Sequence, residues 1–207
     1  MLVMSVNMLH CKFACQINDL KTLAGDWEIL KQNHALWGWV FKALFFSYAK
    51  IKSGFKVRLL SGNKKQSKVD FTPRGDRKVF MFMSGDLEGL PLDTWLMPES
   101  KCQPGFDAVM LLSNGTIRFV QMTVALSHDL YMGALGDFAK RLLSADYRVL
   151  KAEVYIVIPD TYEAHQFRIS QLIEWKRFTD LFTSWPQTLE GVEKNIKIVT
   201  AVQYSMS

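Results

Sequence analysis

Two side chains in the stretch GFDAVMLLSNGTIRFVQMTV, residues 105 to 124, do not match their surroundings: Asp107 opens one apolar run and Gln121 interrupts the next. Both runs have the length and the β-branched and aromatic content of buried strands. A carboxylate or an amide in such a place costs free energy unless a partner, a water or a metal ion satisfies it. Taken alone, Asp107 reads as a partner for a turn amide and Gln121 as an exposed or paired polar residue. Their joint placement raises the functional reading, since both are costly to bury unless they satisfy each other, a water or a metal.

The turn between them decides whether they meet. A three-residue loop, Ser113-Asn114-Gly115 with Gly115 left-handed, pairs Leu112 with Thr116 and sets Asp107 opposite Gln121, with Thr123 on the same face. A two-residue loop, Asn114-Gly115, would pair Asp107 with Met122 and send Gln121 through to the other face.

The surrounding elements follow from periodicity. Residues 16 to 34 read as a helix with a turn at Asn33. From Ala35 to about Lys52, large residues recur at helical spacing until Gly54 ends the run. FKVRLL and KVFMFM are strands separated by a basic loop. LPLDTWLMPESKCQPG is expected to be irregular because Pro91, Pro98 and Pro104 are closely spaced. The hairpin comes next, then a helix in YMGALGDFAKRLL and a strand in AEVYIVI stopped by Pro159. A helix in EAHQFRISQLIEWKRFTDLF and a final strand in NIKIVTAV complete the chain. A continuously apolar strand after a dozen-residue helix implies a parallel crossover, so the fold class is α/β with a mixed sheet and helices on both faces.

A chain of 207 residues that is 49% hydrophobic and 22% charged supports one well-packed domain, 1–207. The most apolar helical piece, HALWGWVFKALFFSYAK, is broken by Lys42, which excludes a membrane span, and the N-terminus makes a poor signal peptide. Cys11, Cys15 and Cys102 form no disulfide or zinc pattern, which points to an intracellular protein. Charge is localised. Residues 50 to 78 carry Lys50, Lys52, Lys56, Arg58, Lys64, Lys65, Lys68, Arg74, Arg77 and Lys78 against Asp70 and Asp76, a balance of +8 in a chain of net +5. Such a concentration suits a nucleic-acid backbone or an acidic protein face, or it solubilises a loop.

The arrangement resembles the PD-(D/E)xK nuclease superfamily, whose shared core is helix, three strands, helix, strand. That core has an Asp at the start of its second strand and (Asp/Glu/Gln)-x-Lys on its third. LDTWLMPESKCQPGFDAVMLLSNGTIRFVQMTVALSHDL looks like the nuclease-like C-terminal domains of Crinkler-type effectors and retrotransposon hot spot proteins. These carry Q-x-T-V followed by His, here Gln121, Thr123, Val124 and His128. The likeness covers about residues 35 to 160. It implies a restriction-endonuclease-like core, with Asp107, Gln121 and Thr123 at the catalytic positions and Lys42, after Gly38 and Phe41, where the family has Glu.

Three departures from the active pattern follow. Lys42 replaces an acid, Gln121 stands where an acid is usual, and Thr123 stands where the catalytic Lys would be. The resemblance therefore implies a nuclease-like, nucleic-acid-associated effector domain with weak or lost catalysis. The alternatives are a protein-interaction effector module that keeps the fold as scaffold, and an active metal-dependent DNA endonuclease. Mg²⁺ or Mn²⁺ would be the cofactor, held by Asp107 and Gln121, with Asp93 or Asp86 as substitute acids. Lys42 would pair with Asp107 or contact a phosphate, as would Lys56, Arg58, Lys64, Lys65, Lys68, Arg74, Arg77 and Lys78. His128 is expected to cap or brace the following helix. The partner would be DNA or a host protein, and the place of action a host nucleus.

Overall fold

The computed structural model describes residues 34–50, 56–60, 68–76, 78–83, 85–100, 103–159 and 166–201. The described chain runs α1 (His34–Lys50), β1 (Lys56–Leu59), β2 (Lys68–Asp70), β3 (Val79–Phe82), β4 (Trp95–Pro98), β5 (Ala108–Leu111) and β6 (Thr116–Met122). It continues through β7 (Ser127–Tyr131), α2 (Met132–Ser144), β8 (Lys151–Ile158), β9 (Arg168–Ile173), α3 (Trp175–Leu181), α4 (Leu189–Asn195) and β10 (Lys197–Ala201). Eight strands form one mixed sheet in the order β2-β1-β10-β8-β6-β5-β4-β3, and β7 pairs with β9 in a separate parallel ribbon. Strands β6, β8 and β10 are mutually parallel, with β5 antiparallel to β6 and β1 antiparallel to β10.

The class is α/β, and the sheet is buried on both faces. On one face α1 lays Trp37, Val40, Phe41, Phe45 and Ala49, a stripe at three- and four-residue spacing, over Trp95, Val120, Met122, Tyr155 and Val157. On the other, Leu135, Phe138, Ala139 and Leu142 of α2 and Phe178 of α3 cover Val109, Leu111, Ile117, Phe119, Val154 and Ile156. Two-sided burial is why β8 reads as one continuous apolar run. Phe106, Phe119 and Phe138 form an aromatic cluster with ring centroids 4.8 to 6.3 Å apart. Each such buried ring stabilises the fold by roughly 2–3 kcal/mol.

Three expectations are corrected. Residues Arg168–Ile173, expected within a helix, form β9, because β7 offers a parallel ladder from Ser127 opposite Arg168 to Tyr131 opposite Ile173. Glu174, with φ of +54°, then turns the chain into α3. The proline-rich connection contains β4, held between β3 and β5. Pro98 lies past the last β4–β5 pair, so its missing N–H costs no ladder bond there. The basic loop contains β2, paired with β1 through Lys68 opposite Arg58. Residues 16 to 33 of the expected first helix lie outside the described residues, and His34 opens α1.

Candidate functional site

The hairpin adopts the three-residue loop. Leu112 N–H donates to Thr116 O at 2.9 Å, Gly115 sits at φ +83°, and Val109 opposes Phe119. The other end of β5 is less regular. Gly105 has φ of +87°, and a Cβ there would come within 2.8 Å of the Tyr131 carbonyl, so only glycine lets the chain turn against the start of α2. Asp107 N–H then donates to Val120 O at 2.8 Å, although Val120 is the residue that Ala108 opposes. Two residues meeting one constitute a β-bulge, which re-aims a side chain at the end of a strand.

The bulge undoes the expected pairing of Asp107 with Gln121. The Asp107 carboxylate turns to the α1 side, where Oδ2 accepts the Met122 N–H at 2.7 Å and Oδ1 accepts Lys42 Nζ at 2.5 Å. Met122 lies beyond the last residue that β5 pairs, so the carboxylate satisfies a backbone donor at the open end of the ladder. The Asp107 side chain is 16% exposed and that of Lys42 37%. Gln121 continues the alternation of Ile117 and Phe119, which face α2, and so leaves β6 on the opposite side from Val120, Met122 and the ion pair. Thr123 is buried, with its hydroxyl accepting the Ala125 N–H at 3.1 Å.

His128 lies in β7, opposite Ile169, and not at the head of α2, whose preceding residue is Tyr131 and which has no side-chain cap. It is close enough to the ion pair for the charges of both Asp107 and Lys42 to act on its ring. Burial pulls its pKa below the usual 6.5, with Asp107 and Asp129 opposing and Lys42 reinforcing the shift. Asp107, Lys42 and His128 thus gather at the carboxyl ends of β6 and β8, where open α/β sheets hold ligands. Asp93 is elsewhere, its Oδ1 accepting the Ser113 N–H at the hairpin loop, and Asp86 accepts the Glu88 N–H in its own turn. Among the described residues, no group of three or more His, Cys, Asp or Glu converges in a way that could hold a metal ion.

A second polar cluster, not anticipated from the sequence, occupies the amino-terminal end of the same strands. Arg118 and Glu153 are directly opposed on β6 and β8 and only 11% and 13% exposed. Arg118 donates Nε to Glu153 Oε2 at 3.2 Å and Nη1 to Asp70 O at 2.8 Å, with its guanidinium 5.0 Å from the Phe71 ring centroid and 5.5 Å from that of Tyr155. Tyr155 Oη donates to Glu153 Oε2 at 3.1 Å and accepts from Lys197 Nζ at 3.2 Å. Lys151 reaches Glu153 Oε1 at 3.3 Å. Burial pushes the Glu153 carboxyl up, but Lys197, Arg118 and Lys151 outweigh it and hold the pKa below the usual value. Burial and the Glu153 charge push the Tyr155 hydroxyl up, so it stays neutral. The one clue in the sequence was a lone Arg and a lone Glu in otherwise apolar strands.

The basic segment is dispersed. Lys56 and Lys68 are exposed on β1 and β2. Arg74 pairs with Asp70 at 3.3 Å, and Lys78 Nζ donates to Pro73 O at 2.9 Å. Arg58 is half-buried, and its Nε has no hydrogen-bond partner. Lys64, Lys65 and Arg77 lie outside the described residues. No helix among the described residues is long and apolar enough to cross a membrane. No protein-family model matches the chain, and no curated protein or solved structure matches it significantly.

Proposed function

We propose that the chain is a nuclease-like, nucleic-acid-associated domain whose catalytic activity is weak or lost. The observation that carries this reading is the Lys42 ammonium 2.5 Å from Asp107 Oδ1, where a nuclease of this pattern would need a cation bound to its aspartate. Several features support it. The order α1, then β4, β5 and β6, then α2 and β8, with additional strands inserted, is compatible with the core that the resemblance implies. Asp107 stands at the head of the second of the three strands, and Lys42 comes from the first helix. The resemblance to Crinkler-type domains implies an effector acting in a host nucleus, and the positive segment 50 to 78 suits a phosphate backbone.

A divalent ion does not fit this arrangement. Mg²⁺ needs hard, anionic oxygen ligands, and the one carboxylate here has Oδ1 engaged by an ammonium and Oδ2 by a backbone N–H. The Lys42 charge would also repel a metal dication placed beside it. What the site does chemically is structural: a neutralised carboxylate ties α1 to the open end of β6.

Plasmid nicking by the unmodified protein beside Asp107→Ala tests the reading in Mg²⁺ and in Mn²⁺. We expect no cleavage above a protein-free control from either. Metal-dependent nicking that vanishes in Asp107→Ala would establish an active nuclease instead. The triple substitution Lys42→Glu, Gln121→Glu, Thr123→Lys should stay inactive too, because Gln121 leaves β6 on the side away from Asp107.

A further inference from the structure

The cluster around Glu153 holds more positive charge than its one carboxylate balances. Arg118 Nε–H donates to Glu153 Oε2 at 3.2 Å and its Nη2 lies 3.1 Å from the same oxygen, an ion pair that already neutralises the carboxylate. Tyr155 is neutral. Among the described residues, Lys151 and Lys197 are therefore two charges in excess. Both reach the same atom, Glu153 Oε1, at 3.3 and 3.6 Å, so their ammoniums are close enough for a single anion to bridge them. Their side chains remain open to solvent, 61% exposed for Lys151 and 36% for Lys197. The lysines belong to strands β8 and β10, and Lys197 is braced by the Tyr155 ring at 4.9 Å. Exposed Arg148 lies at the hairpin loop of the same sheet end, its Cγ 3.4 Å from where a Gly115 Cβ would be. Arg148, Lys151 and Lys197 thus all stand at one end of the sheet, a spread of positive charge that suits an extended polyanion.

We propose that the amino-terminal rim of β6, β8 and β10 contacts the phosphodiester backbone of a nucleic acid, with Lys151 and Lys197 sharing one phosphate. Arg118 and Glu153 act as positioning residues that fix the two ammoniums. This rests on the nucleic-acid reading above and goes beyond it by moving the contact surface from the Asp107 end of the sheet to the opposite rim, where the end of β1 also lies, Leu60 N–H donating to Ile198 O at 2.9 Å. Contacts of this kind are indifferent to sequence and strongly dependent on salt.

The test is fluorescence anisotropy of a labelled duplex at several salt concentrations, with Lys151→Gln/Lys197→Gln beside the wild-type protein and a Lys176→Gln control on α3. Loss of the one shared phosphate contact should lower the slope of log affinity against log salt by about one and weaken binding roughly tenfold at low salt. The control should bind like wild type. Circular dichroism and thermal melting of the double variant report whether the fold is intact, with an unchanged spectrum and a lowered melting temperature expected, because both lysines help to balance the Glu153 charge. Wild-type affinity and slope in the double variant would overturn the rim and leave the nucleic-acid reading standing. Absence of duplex binding by the wild-type protein would overturn both.

Discussion

The two ends of the parallel strands solve the burial of a carboxylate in different ways. At the carboxyl end, Asp107 faces one ammonium from a helix 65 residues away and one backbone N–H. At the amino end, Glu153 is held by Arg118 from the adjacent strand, Tyr155 two residues along its own strand, and Lys151 and Lys197. The first is an isolated pair on a strand irregularity, and half of it is open to solvent. The second is a network set by strand register, with Arg118 and Lys197 packed against aromatic rings. A pair of the first kind can be rearranged by changing one residue, whereas a network resists change and specifies how its strands align.

Replacing Arg118 with Leu should have the largest effect. It would leave Glu153 buried with only the lysines to balance it and would remove the contacts to Phe71 and Asp70. Stability should fall by about 3 kcal/mol, read as a lower urea midpoint. If Arg118→Leu costs less than Asp107→Ala, the network is not the stronger of the two. Asp107→Ala should itself cost about 2 kcal/mol, because it strands the Met122 N–H and leaves Lys42 without its partner. Asp107→Asn keeps an acceptor for that N–H and should cost about half as much.

Acid separates the two ends further. Folding lowers the His128 pKa below 6.5, so between the folded value and 6.5 the unfolded chain binds the proton that the native chain refuses. The stability contributed by neutral His128 is complete above pH 6.5 and is lost as pH falls through the folded value. The lowered Glu153 pKa works in the same direction but starts lower, with its contribution complete above about 4.5 and lost as pH falls through its folded value. Melting temperature against pH should therefore show two acid limbs, the upper one absent in His128→Gln. A single limb would mean that the Asp107 end does not sense protons. The smallest effect should come from Lys194→Ala, which breaks a solvent-exposed pair with Glu190 in α4 and should leave the melting temperature unchanged within error.

Much of this was legible in the residues. The helical stripe from Trp37 to Ala49, the turn at Gly115, the helix before β8 and the apolar runs of β6 and β8 follow from local spacing, because each needs only its own periodicity and a residue tolerant of positive φ. The register of the hairpin followed from the same local rule. β9 was not legible, since RISQLI fits a helix as well as a strand until β7 supplies the ladder. Nor was β4, where pairing on both sides outweighs its neighbouring prolines.

For the candidate site the division is sharper. That Asp107 needed a partner could be argued from an acid in apolar surroundings, and that Lys42 was a candidate for it followed from the family resemblance, which sets both at one site. The bulge that turns Asp107 away from Gln121 could not, because it depends on how Gly105 packs against α2, and no rule of alternation foresees an extra residue. The gathering of Lys151 and Lys197 on one Glu153 oxygen likewise depends on the offset between β8 and β10, which are separated in the chain by a ribbon strand and two helices. Sequence determined which charges had to be satisfied, since burial follows from composition and period. Tertiary structure alone decided which charges satisfied one another, since that depends on distances between segments remote in the chain.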